Sequence, residues 1–354
     1  MIRLAAPLLI ALSAACANAA EPEMEIPEAR TVALSFTSGG VTLSGTLWVP
    51  EGEGRHPAVV LMGGNGPWRP AHWYFDILRD AFMAQGFAVA YYDRRGEGGS
   101  TGDFDRASFD DLADDAIAAV NAVRANPAVD PSKAGLWGHS MGGWIAGLAA
   151  SRSPSVAFVI TAAGPGVSPL EQTLFARANE DRAAGIPEAD VLELAALRQK
   201  IVQYYVGRTA EQHAIAESAF AAAREKPWFP TATAWPELRG VGAQLPSPAT
   251  LASIDAGNPD VLRWFRRDGK YDPSQAFVKV NVPYLAVFGE ADRIVPLGPS
   301  VAALEASVPK GKLTVNTYPS ANHMIMVSGG QTASALAPGY VDGMTAWLKS
   351  TAVR

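Results

Sequence analysis

Five stretches of this chain are apolar at nearly every consecutive position over the length of a strand: Ala58 to Met62, Phe87 to Tyr92, Ala134 to Trp137, Val156 to Ala162 and Tyr284 to Phe288. A strand with no polar alternation has no face to offer water, so it must be covered on both sides. Helical stretches lie between these runs, at Trp73 to Gln85, Ser108 to Asn126 and Met141 to Ser151. The second of them opens with Ser108 as a cap and with Asp110 and Asp111 in its first turn, where carboxylates complement the helix dipole. Strand and helix in alternation predict an α/β fold with a doubly wound, mostly parallel sheet.

Two further runs, Thr31 to Phe36 and Leu43 to Val49, flank Gly39-Gly40 and read as a hairpin at the sheet edge, stopped by Pro50. Leu313 to Tyr318 reads as the last strand. From about Ser168 the alternation ceases and alanine-rich helical segments follow, Pro169 to Ala184, Pro187 to Val206 and Thr209 to Lys226. Residues 168–276 are therefore expected to form an inserted helical cap, with the core built from 31–167 and 277–354. Aromatic residues gather in the second part of the insertion, at Trp228-Phe229, Trp235, Trp264-Phe265 and Tyr271. Most of these are expected to pack a small core, with some left to line a pocket.

A chain of 354 residues, 48% hydrophobic with net charge -6 and no long basic block, has no electrostatic footprint for nucleic acid. Its five histidines, His56, His72, His139, His213 and His323, show no paired metal-ligand spacing, which disfavours a metal site. The single cysteine, Cys16, falls in a leader-like start: Arg3, an apolar stretch from Leu4 to Ala15, then Ala17-Asn18-Ala19. That pattern predicts a signal peptide over 1–19 and export to the periplasm or beyond, because the apolar stretch is short for a stable membrane span. Acylation of Cys16 as a lipoprotein is the alternative, although Ser13 stands where that signal usually has an aliphatic residue. Glu21 to Arg30 reads as a stem before the first strand.

Gly138-His139-Ser140-Met141-Gly142 lies where the run ending at Trp137 meets the helix beginning at Met141. Strand, sharp turn and helix around G-x-S-x-G form a nucleophile elbow, in which a side chain at Gly138 or Gly142 would crowd the adjoining backbone. A serine hydroxyl is a poor nucleophile until a base takes its proton, so Ser140 demands a histidine and an acid to orient it. His323 lies in a polar turn straight after the last strand. Asp292 lies just past the run Tyr284 to Phe288. Ser140, Asp292 and His323 are thus all expected at strand ends on one rim of the sheet.

The chain order of nucleophile, acid and histidine resembles the α/β-hydrolase family, and the resemblance covers nearly everything except the insertion. It implies the α/β-hydrolase fold, Ser140 as nucleophile, Asp292 as acid and His323 as base. Gly63-Gly64-Asn65-Gly66-Pro67 resembles the family's oxyanion loop, with Gly63 where many relatives carry histidine. The hole would be formed by the backbone N–H of Met141 with that of Asn65, Gly64 being the alternative donor. Asp93 to Ser100 also resembles a family loop, whose charges are expected to brace the site from behind. Glu290 is a substitute acid two residues short of the usual place. His139 is expected to pack under the elbow, and His72 lies near the oxyanion loop.

The implied activity is that of an exported serine hydrolase acting on a small-molecule ester or acyl substrate, with no cofactor. The aromatic insertion suggests a largely apolar acyl or alcohol portion, and Arg263, Arg266 and Arg267 either face solvent or meet a carboxylate. Identical machinery cleaves amides and thioesters or transfers acyl groups, so a peptidase, thioesterase or acyltransferase stands beside the esterase. The chain lacks the His-Gly-Gly-Pro-Gly loop of proline iminopeptidases. A binding protein on the same fold would be expected to have lost a member of the triad.

Overall fold

Alternate residues of each central strand enter opposite layers of the molecule. In β3 (His56–Met62), Ala58, Val60 and Met62 pack in one apolar cluster while Val59 and Leu61 pack in the other. β4 (Ala88–Tyr92) and β7 (Tyr284–Gly289) divide in the same way, Ala286 and Phe288 facing one layer, Leu285 and Val287 the other. Continuous apolarity in sequence thus becomes burial on both faces, as period-2 geometry requires.

The structure, a computed structural model, describes residues 29–65, 73–232, 244–257 and 269–352. The leader and stem through residue 28, Cys16, Gly66-Pro67, His72, Trp235, Arg263, Trp264-Phe265, Arg266 and Arg267 lie outside the described residues.

Among the described residues the sheet has eight strands, numbered in chain order, in the order β1-β2-β4-β3-β5-β6-β7-β8. β1 (Ala29–Ser38) and β2 (Val41–Pro50) form the expected edge hairpin, and β2 runs antiparallel to β4 as well. From β4 onward the pairings through β3, β5 (Val129–His139), β6 (Val159–Ala162), β7 and β8 (Leu313–Tyr318) are all parallel. Two strands depart from the sequence expectation by three residues or more at their starts. β5 begins five residues before Ala134 because Val129 pairs with His56 ahead of a register shift in β3. β6 begins at Val159 because Val156 N donates to Ser153 O within a turn.

One face is covered by α2 (Phe109–Arg124), α3 (Met141–Arg152) and a helix at Leu297–Ser307. The other is covered by α1 (Trp73–Ala84) and the helix Tyr340–Trp347. At the start of α2 Ser108 Oγ accepts from Asp111 N while the Asp111 carboxylate accepts from Ser108 N, a complete capping box.

Between β6 and β7 the chain runs through α4 (Pro169–Ala183), α5 (Glu188–Gly207) and α6 (Ala210–Ala223). These helices pack on an apolar cluster of their own that includes Leu197, Ile201, Tyr204, Phe220 and Trp228. Buried Arg198 of α5 pairs with buried Asp181 of α4, so that neither charge is left uncompensated. Tyr271 belongs elsewhere: its ring stands 4.8 Å from Phe109 and 6.3 Å from Trp144, against the main core. Burial pushes its hydroxyl well above the usual phenol range, so it stays neutral there. Among the described residues no helix is long and apolar enough to cross a membrane.

Candidate active site

Because β3, β5, β7 and β8 are parallel, their C-terminal ends open on one rim, and each expected site residue follows one of them. Ser140 caps α3 directly after β5, with φ 53° and ψ -121°. This conformation is costly for a residue with a side chain, on the order of 1–3 kcal/mol, and persists only where neighbours enforce it. Here Ser140 N donates to Ala162 O at 2.9 Å and Gly143 N to Ser140 O at 2.8 Å. The turn is so tight that a Cβ on Gly138 would stand 2.2 Å from Gly142 O.

His323 sits in a turn closed by Asn322, whose Oδ1 accepts from Met324 N at 2.9 Å and Met326 N at 3.2 Å. Ser320 and Ile325, on either side, both adopt positive φ. The imidazole Nδ1 of His323 donates to Asp292 Oδ2 at 2.8 Å, and the acid's side chain is 1% exposed against 16% for the histidine. Asp292 Oδ1 accepts from Ile294 N at 2.7 Å and Val295 N at 3.0 Å. A carboxylate with three donors is held in one orientation, and it fixes the tautomer that leaves Nε2 bare. Glu290, the substitute acid, points away: its Oε1 accepts from Thr317 Oγ1 at 2.9 Å.

His139 is buried beneath the elbow, with Nε2 2.9 Å from the main-chain oxygen of His323 and the two rings 4.8 Å apart. The structure therefore brings together His323 and Asp292 directly, and sets Ser140 beside them through its neighbour. Among the described residues no hydrogen bond joins Ser140 Oγ to His323.

The loop after β3 is drawn over the elbow. Gly63 O and Gly64 approach Gly142 and Ser140, while Asn65 and Met141 border a cavity of about 110 Å³ shared with Ser140, Phe109, Trp144 and Gln172. Arg94 holds this loop from behind, its Nη1 donating to Gly64 O at 2.9 Å while its guanidinium pairs with Glu97 and covers Phe104 at 3.9 Å. Next to it Arg95 makes a two-point pair with Asp115, at 2.6 and 2.8 Å. Gln172 and Asn179 of α4 reach the loop that carries Asp292, donating to Ile294 O and Arg293 O, without any signal in the sequence. Nothing local distinguishes a functional amide on a helix from a solvated one.

Residues 56–220 match the hydrolase family described as serine aminopeptidase. The chain is 25% identical over 311 residues to a bifunctional esterase/perhydrolase of Acinetobacter calcoaceticus, covering 84% of this chain and 94% of that protein. It is 32% identical over 124 residues to an uncharacterized 31.7 kDa Escherichia coli protein, covering 35% of this chain and 42% of that one. The matched stretch thus spans under half the length of that relative. Among solved structures, the α/β hydrolase GrgF from a Penicillium species superposes with a TM-score of 0.58 at 19% identity, over 92% of this chain and 100% of that one. By its sheet order, its strand-end rim and its superposition on solved structures, the chain has the α/β-hydrolase fold.

Proposed function

We propose that this chain is an exported serine hydrolase that cleaves carboxylic esters through Ser140, His323 and Asp292. The observation that carries the reading is the 2.8 Å bond from His323 to a buried Asp292 beside a serine held at φ 53° on a strand-to-helix turn. Ser140 Oγ bonds to the acyl carbon as its proton passes to His323 Nε2, the serine reaching the imidazole when substrate is bound. The carbonyl oxygen takes up the electron pair and is held by the N–H of Met141 and that of Asn65, or of Gly64. Collapse expels the alcohol, which receives the proton from His323. Water then repeats the cycle on the acyl-enzyme, Asp292 balancing the imidazolium in both halves. Residues 168–276 act as a cap on this site, and 1–19 as the export signal.

The likeness to an esterase/perhydrolase along nearly the whole chain favours esters. The serine aminopeptidase description of the matching family favours amides as a second reading. A fluorophosphonate probe should label the wild type and not Ser140→Ala, and an acyl series of p-nitrophenyl esters should turn over faster than aminoacyl anilides. Persistent labelling of Ser140→Ala refutes the nucleophile, and faster anilide cleavage selects the peptidase. Mass spectrometry of the exported protein should find Ala20 at its N-terminus, whereas a lipid on Cys16 selects the lipoprotein.

A further inference from the structure

Asp292 is gripped by two peptide groups, and both are gripped in turn by the insertion. The peptide joining residues 293 and 294 gives its N–H to Asp292 Oδ1 at 2.7 Å, and its carbonyl, Arg293 O, accepts from Asn179 Nδ2 at 2.9 Å. The peptide joining 294 and 295 gives its N–H to the same oxygen at 3.0 Å, and its carbonyl, Ile294 O, accepts from Gln172 Nε2 at 2.9 Å. Gln172 and Asn179 are seven residues apart on α4, two turns along one face, so a single helix reaches both carbonyls.

We propose that Gln172 and Asn179 are positioning residues that hold the carboxylate of Asp292 through these two peptide groups. The proposal rests on the triad reading given above. Donation to a carbonyl oxygen polarises the amide and strengthens the bond its N–H makes, so each side-chain amide tightens the grip on Oδ1. The same donations fix the planes of both peptides, leaving Oδ2 aimed at His323. The helix making them is itself anchored, by Asp181 to Arg198 of α5 and by the Ser168 and Glu171 capping box at its start. Gln172 also borders the cavity at Ser140. The acyl group of a bound ester therefore meets one end of the chain of bonds whose other end is the catalytic acid.

The test is a double-mutant cycle on p-nitrophenyl ester hydrolysis. Gln172→Met, Asn179→Leu and their combination remove the donors at nearly constant volume, each made in the wild type and in Asp292→Asn. Loss of orientation at the acid acts in the transition state, so kcat should fall about 10-fold in the combined variant, with KM within about twofold and Tm little changed. In the Asp292→Asn background, where the oriented carboxylate is already gone, the same substitutions should change kcat less than about twofold. Equal losses in both backgrounds would mean that α4 serves only as cavity wall or packing, and would overturn the proposal, as would an unchanged kcat in the combined variant. If Asp292→Asn alone retains full kcat, the triad reading fails and the proposal fails with it, a result distinct from additivity.

Discussion

The Nε2 atom of His139 stands 2.9 Å from the main-chain oxygen of His323, so the residue before the elbow serine holds the turn that carries the histidine. Edge-to-face contact of the two rings at 4.8 Å adds to that hold. His139→Phe keeps a ring in the buried site and removes the donor, leaving the His323 carbonyl short of one partner. We expect kcat on p-nitrophenyl esters to fall about 10-fold, as a small displacement of the base would cause, with KM nearly unchanged. A Tm measured alongside should drop by only a few degrees, the loss of about one buried hydrogen bond.

Arg94 reaches the site through the backbone of the loop after β3. Its 2.9 Å bond to Gly64 O orients the peptide between Gly64 and Asn65, whose N–H is the oxyanion donor favoured above. Arg94→Met keeps an apolar stem of similar length but removes the guanidinium that covers Phe104 and frees the Gly64 carbonyl. Removing an oxyanion donor outright costs about 10²–10³ in kcat, and loosening one should cost less, about 10-fold. Stability should change by under about 1 kcal/mol, since the Glu97 partner is partly exposed. Steady-state kinetics and urea denaturation on one preparation separate the two effects.

The central layers of this fold were legible because fully buried strands leave a continuous apolar run, and Tyr284–Gly289 falls where such a run stands. Ends were not legible where pairing overrides apolarity, as at Val129, which joins the sheet through His56 although polar residues follow it. Asp292 and His323 could be read from their place after strands, and the expectation that Arg94 and its neighbours brace the site has a concrete form in the bond to Gly64. The grip of Gln172 and Asn179 had no signature, because it depends on where an insertion docks on a loop more than a hundred residues later. The aromatic neighbours of Tyr271 in sequence lie in the insertion, whereas its packing partners, Phe109 and Trp144, are distant in the chain.

Gly289 marks where β7 passes closest to the histidine turn. A Cβ there would lie 2.3 Å from Ala321 O and 2.5 Å from Asn322 O, both backbone atoms that cannot swing aside. Ala291 N also donates to Ala321 O at 2.9 Å, so the turn is pinned against the acid loop at this point. Gly289→Ala should push Asp292 and His323 apart and cost about 1–3 kcal/mol of stability. Hydrolysis should drop more than the folded fraction does, which far-UV circular dichroism and kcat measured at the same temperature would show.

The capping box of α2 links the cavity wall to acid stability. Phe109, the first residue of that helix, borders the cavity at Ser140, and the box of Ser108 and Asp111 fixes its entry. Hydrogen bonding from the Ser108 side chain, helped by its backbone N–H and by Arg95 and Arg152, holds the Asp111 carboxyl below the usual carboxylate range against the opposing effect of burial. A depressed folded pKa means the unfolded chain takes up the proton first, so this contribution is complete above the ordinary aspartate pKa and fades as pH falls through the lowered value. Ser108→Ala should cost about 1 kcal/mol near neutral pH. The difference between wild type and variant in urea unfolding should persist down to about pH 4 and shrink below it, while a difference that stays constant to pH 2 would show that Asp111 does not act through its charge.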